Sequence, residues 1–126
     1  MSLPPRIQKA PKRSSRWRST AHCNYVRGFA CCNCHETANV QVAHVRIGSN
    51  AGMGQKPDDW RTVPLCGPQE GRGGCHDLQH RMGERTFWDT YQKAHGQTVE
   101  DLIDVLCSTS PKSGDIRRAK MERGDA

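Results

Sequence analysis

The chain has 126 residues, enough for one small domain of roughly 100 residues with tails. Hydrophobic residues make up 34%, with few aromatics against 12 Gly and 7 Pro, so apolar burial alone is a thin basis for a fold. The net charge of +6 favours a polyanionic partner. The lack of a basic start followed by an apolar segment, or of any apolar run near the ~20 residues that span a bilayer, argues against a membrane and for a cytoplasmic setting.

Residues 1–20 carry Arg6, Lys9, Lys12, Arg13, Arg16 and Arg18 and no acid, among Pro and Ser without apolar periodicity. This reads as a basic arm, disordered until it meets a polyanion. Counterion release would make Arg13, Arg16 and Arg18 DNA contacts that ignore sequence. A solvated tail that only aids solubility is the alternative. A Cys-dense stretch follows at 22–35. From Asn39 to Ile47 apolar residues alternate, with Val40, Val42 and His44 on one phase, which predicts a strand of about five to eight residues. A long loop with Gly48, Gly52 and Gly54 then returns in a second short strand, Thr62–Leu65, giving a hairpin with a wide tip. After Cys75, His76 and His80 lie one helical turn apart, so a short helix here turns both imidazoles to one face. Glu84–His95 sets Phe87, Trp88 and Tyr91 on one stripe and stops before Gly96, a helix with a glycine C-cap. Thr98 followed by Asp101 approximates a capping box, and Val99, Leu102, Ile103 and Leu106 form the stripe of a second helix. Residues 108–126, with Pro111 and Gly114, read as a polar tail. The expected plan is a basic arm over 1–20, a metal-bound module over 21–83, helices over 84–107 and a tail over 108–126.

Seven Cys and six His remain to be explained. In a reducing compartment, mixed Cys and His are more often metal ligands than disulfide partners, and an odd cysteine count suits full pairing badly. Cys31 and Cys34 have the Cys-x-x-Cys spacing at which a tight turn lets two thiolates share one ion. Their partners are Cys66 and Cys75, separated by a stretch containing Gly67, Pro68, Gly71, Gly73 and Gly74 that reads as a knuckle swollen by a flexible insertion. Four thiolates close a tetrahedron with no open position, so this zinc is expected to be structural. Cys32 could replace Cys31, and Cys23 or His35 could be drawn in. Cys107, near the apolar end of the last predicted helix, reads as a packed thiol.

The order of Cys31-x-x-Cys34, Ala43-His44-Val45, the glycine-rich 48–54, Lys56-Pro57-Asp58-Asp59, Val63-Pro64-Leu65-Cys66 and Cys75-His76-Asp77-Leu78-Gln79-His80 resembles the HNH endonuclease superfamily. It is most similar to the phage and prophage branch of recombination-enhancement-type nucleases, over residues 22–107. The resemblance implies a small α+β fold: a zinc-stabilised ββα-metal (HNH, His-Me finger) module with C-terminal helices and disordered tails. It implies metal-dependent hydrolysis of DNA phosphodiesters, in which His44 is the general base and His76 binds a catalytic Mg²⁺ or Mn²⁺. His80 is then a second ligand or a phosphate contact. Imidazole titrates near neutrality and can take a proton from water, while a divalent ion supplies charge to the transition state. Two slots depart from the pattern. Ala43 stands where relatives place an Asp or His metal ligand, and the neighbourhood of their middle asparagine reads Asp58-Asp59-Trp60-Arg61. Asp59 is the candidate to orient His44 or to ligate the ion, with Asn50 as the fallback for the asparagine. Arg46 and Lys56 join the arm's arginines as expected DNA contacts. The implied partners are DNA and a recombinase or replication protein in a bacterial host. The rival readings are a non-catalytic zinc-stabilised module that binds DNA or protein, and a purely structural zinc-ribbon adaptor whose histidines stand apart.

Overall fold

A computed structural model describes residues 2–7, 16–49, 51 and 55–124, so the expectations placed on Arg13, Asn50, Gly52 and Gly54 lie outside the described residues. The elements are α1 (Thr20–Arg27), β1 (Val40–His44), β2 (Thr62–Cys66), α2 (Cys75–Met82), α3 (Glu84–His95), α4 (Val99–Thr109) and α5 (Ser113–Arg123). Among the described residues this is an α+β arrangement of five helices around one antiparallel two-stranded sheet. No helix among them is long and apolar enough to cross a membrane.

The strands pair from Val40 opposite Cys66 to His44 opposite Thr62. Period-2 alternation then turns Ala43 and its partner Val63 into the core and leaves His44 half-buried on the other face. All five β2 residues are buried, because α1, α2 and α4 pack against that strand. Val45, Trp60, Val63, Leu65, Phe87, Trp88, Ile103 and Leu106 belong to one core. Phe87, Trp88 and Tyr91 form the inward stripe of α3, which ends on Gly96 at φ 70°, a left-handed cap that glycine adopts without strain. The Thr98 hydroxyl accepts from the Asp101 amide at 3.1 Å and starts α4. Cys107 is a packed thiol: burial pushes it up to about 11, and it donates to the Trp60 carbonyl.

Three regions differ from the sequence expectation. The stretch 20–27, expected only as part of a Cys-dense segment, is helix α1, begun by the Ser19 hydroxyl accepting from the His22 amide and buried through His22 and Val26. The end of the expected arm is built into the fold. Trp17 packs on Trp60 with ring centroids 5.6 Å apart, the Trp17 amide donates to Asp58, and Arg16 and Arg18 pair with Asp58 and Asp59. The expected polar tail contains α5, which buries only Ile116 and is secured by Arg123 on Asp58 and by Lys120 and Arg123 over the Trp60 ring. The loop after β1 is anchored as well. The Arg46 and Ile47 amides donate to the Glu84 carboxylate, and Arg61 donates to the Val45 and Ile47 carbonyls while pairing with Glu100.

Candidate metal centre and basic cavity

Two centres emerge. At the first, the sulfurs of Cys31, Cys34, Cys66 and Cys75 all lie within 4.8 Å of one another, and Cys34 Sγ is 3.6 Å from Cys66 Sγ. Local backbone geometry places each one. The Cys31 amide donates to the Glu36 carbonyl, and the turn closes through His35 at φ 65° with its amide on the Cys31 carbonyl. The Cys32 amide ties this turn to the Pro64 carbonyl of β2. Cys66 is the last residue of β2 and Cys75 the first of α2. Gly74 makes that junction possible, since a Cβ there would stand 2.2 Å from the Cys66 carbonyl oxygen and 2.3 Å from the Gly67 backbone.

N–H donors surround the sulfurs. The Cys75 amide reaches Cys66 Sγ at 3.3 Å, Asn33 Nδ2 reaches Cys75 Sγ at 3.4 Å, and Arg72 Nη2 lies 3.4 Å from Cys34 Sγ and 3.7 Å from Cys66 Sγ. Burial raises the Cys34 thiol, but hydrogen bonds from Arg72 and the Glu36 backbone outweigh it and bring Cys34 down to about 6, which favours its thiolate form. Burial pushes Cys66 and Cys75 up. Four soft sulfurs at this spacing, with donors already directed at three of them, can hold a metal ion such as zinc. Cys32, Cys23, His35 and Cys107 are not members of the group.

The second centre is a cavity of about 700 Å³. His44 comes from the end of β1, Asp59 from the hairpin return, and His76 and His80 from α2; Arg18, Arg27, Arg46 and Lys56 line it with them. His44 Nε2 lies 2.8 Å from Asp59 Oδ1. The Ser19 amide donates to Asp59 Oδ2 at 2.8 Å and Arg18 pairs with Oδ1 at 3.2 Å. Burial raises Asp59, but the bonds from His44 and Ser19 prevail and hold it below the ordinary carboxylate range. An ionised carboxylate can only accept, so the His44 proton sits on Nε2 and Nδ1 carries the lone pair. Burial is the largest influence on His44 and, with Lys56 and Arg18, keeps its pKa low against the pull of Asp59. His76 Nδ1 lies 2.9 Å from Gln41 Oε1, an acceptor, which leaves the His76 Nε2 lone pair free of that bond. The His76 and His80 rings lie with centroids 5.0 Å apart, tilted by 34°, and burial lowers His76.

The expected site residues therefore fall into separate groups. His44, Asp59, His76 and His80 share the cavity, and Arg18, Arg46 and Lys56 line it. Arg16 instead turns to Asp58 and Gln55, and Arg18 directs its donors to Asp59 and to the Pro57 and Lys56 carbonyls, so both brace the hairpin return. Ala43 faces the core, where a polar metal ligand would find no access to the cavity. His76 and His80 offer two imidazole donors. Apart from the four cysteines, no group of three His, Cys, Asp or Glu donors is placed to hold a metal ion among the described residues. The fit to a divalent ion in the cavity is thus partial. Gln41, Arg27 and Arg72 carry no sequence signal of a site, and Cys23 only that of a stand-in zinc ligand; α1 packed on the sheet brings in Cys23 and Arg27, the His76–Gln41 contact brings in Gln41, and the 67–74 turn brings in Arg72. Cys23, in the cavity wall, is pushed up to about 11 by burial and by Asp59, to which it hydrogen-bonds.

The architecture is that of a small α+β protein with a tetrathiol cluster beside a basic, histidine-lined cavity. Residues 3–110 match the model of a family described as "Protein of unknown function (DUF968)", and the chain belongs to that family. No curated protein and no solved structure matches the chain.

Proposed function

We propose that the protein is a metal-dependent DNA endonuclease of the HNH type, held together by a structural zinc on Cys31, Cys34, Cys66 and Cys75. The observation that carries this reading is the His44–Asp59 pair in the wall of a cavity that also holds His76, His80 and four cationic side chains. Asp59 orients the imidazole of His44 and leaves Nδ1 as a proton acceptor for water, while the lowered pKa keeps the ring neutral at physiological pH. Arg46, Lys56 and Arg27 provide positive charge for a phosphodiester. His76 and His80 are the residues that would hold Mg²⁺ or Mn²⁺. The ion would supply charge to the phosphodiester when bound. The setting on this reading is the cytoplasm of a bacterial host, with the protein phage- or prophage-encoded, DNA as substrate and a recombinase or replication protein as partner.

The test is a plasmid nicking assay with Mg²⁺ or Mn²⁺. The protein should nick, and His44→Ala should abolish nicking without changing zinc content. Equal inertness of both proteins on duplex, single-stranded and branched DNA across metals would overturn the enzyme reading. A second reading, a non-catalytic zinc-stabilised module that binds DNA or protein, is favoured by one observation: among the described residues no third donor joins His76 and His80 in a metal-holding group. It predicts DNA binding without cleavage, and no anomalous Mn²⁺ peak beside His76 in soaked crystals.

A further inference from the structure

The eight residues between Cys66 and Cys75 are more than a knuckle needs. They form a small closed turn of their own. Gln69 and Arg72 exchange backbone hydrogen bonds at 3.0 Å, Gly71 takes φ 81° at its apex, and Gly74 returns the chain directly against Cys66 and Gly67. Folded this way, the turn carries Arg72 back over the sulfurs, with one Nη2 atom directed at both Cys34 and Cys66. Cys34 is the exposed member of the four, and so the one that solvent and competing ligands reach first.

We infer that Arg72 is the retention clamp of the tetrathiolate centre: its guanidinium offsets the net negative charge of a dication inside four thiolates and covers the exposed ligand, Cys34. The inference rests on the zinc reading of the four cysteines. A dication cannot neutralise four thiolates, and the excess charge is shared by donors around the site. Asn33 and the Cys75 amide serve Cys75 and Cys66 as neutral donors, whereas Arg72 brings a full charge and serves two sulfurs at once. The turn thus has a chemical purpose. It is an arm that delivers a cation from the solvent side, where neither β2 nor α2 presents one to the sulfurs.

The test uses the full chain purified with zinc and titrated against a chromophoric chelator. Wild type should hold one zinc per chain. Loss of a hydrogen-bonded outer partner typically costs about 10–100-fold in metal affinity, and Arg72→Ala should weaken zinc retention by that factor. Arg72→Lys should recover most of it. Arg81→Ala, which removes an exposed helix-surface ion pair with Asp77, should leave affinity unchanged. Because Arg72 is exposed, added salt should narrow the gap between wild type and Arg72→Ala. Equal affinity of wild type and Arg72→Ala overturns the inference, and a gap that is insensitive to salt overturns its electrostatic basis. Should Arg72→Ala purify without metal, Arg72→Lys decides: near-wild-type retention supports the clamp, and equal loss overturns it. A wild-type protein that binds no zinc is a different failure, that of the tetrathiolate reading itself.

Discussion

Arg123 Nη1, in the last turn of α5, lies 2.5 Å from Asp58 Oδ1, in the return of the hairpin. Asp58 also accepts from the Trp17 amide at 2.7 Å and from Arg16, with its side chain only 5% exposed. Removing one member of a buried ion pair strands the other, at a cost of about 3 kcal/mol. Asp58→Ala should therefore lower unfolding stability by about that amount. Arg123→Ala, which leaves Arg16 in place, should cost about 1–2 kcal/mol. Urea unfolding followed by tryptophan fluorescence measures both, since Trp17 and Trp60 flank the pair.

The His44–Asp59 pair makes a signed prediction about pH. On the nuclease reading His44 would act as a base only when neutral, so nicking should rise with pH and level off below the point expected for an unperturbed imidazole of pKa 6.5. His44→Ala should lose about 10²–10⁴-fold in rate. Asp59 raises the His44 pKa and Lys56 lowers it. Asp59→Ala should thus slow the reaction while moving its acid limb to lower pH, and Lys56→Ala should move that limb higher. A pH–rate profile in which the two variants move together would contradict the geometry.

Stability should also fall in mild acid. His22, buried in α1 with Nδ1 2.8 Å from the Ser110 hydroxyl, and His44 both have folded pKa values lowered, chiefly by burial. A group lowered on folding takes up protons more readily in the unfolded chain. Its contribution is therefore complete above the unfolded value of 6.5 and is lost as pH falls from there toward the folded value. Asp59, held below the ordinary carboxylate value of 3.8, adds a second loss only as pH falls through the acid range. Thermal unfolding at about pH 8 and about pH 5.5 should show the first drop, and His22→Gln should shrink it.

Serine substitution discriminates among the seven cysteines. Each of Cys31, Cys34, Cys66 and Cys75 changed to Ser should lower bound zinc as measured by plasma mass spectrometry, while Cys23→Ser and Cys32→Ser should retain it. Gly74→Ala should behave like a ligand variant without touching a ligand. Its methyl would collide with main chain rather than with a mobile side chain, at a cost of about 3 kcal/mol.

Much of this was legible because local rules agreed with the tertiary result. The α3 limits follow from one aromatic stripe and a terminal glycine, and the four-cysteine group from ligand spacing. What stayed hidden depends on contacts distant in sequence. Helix α5 has one buried apolar residue, Ile116, so no stripe announces it; Asp58 and the Trp60 ring hold it. Helix α1 buries only His22 and Val26, too few for a periodic signal. Arg16 and Arg18 looked like a polyanion-seeking arm because the two aspartates that claim them lie some forty residues on. Gln41 gains meaning only when α2 lands beside β1.

Asp58 and Asp59 stand next to each other in the middle of the chain, yet their partners come from both of its flanks, Arg16 to Ser19 before them and Arg123 after. During synthesis, then, the hairpin can form with Asp59 already matched, while Asp58 lacks one of its two guanidinium partners until residue 123 has left the ribosome. Asp59 is thus secured from upstream, and its neighbour only once Arg123, in the last turn of α5, is in place.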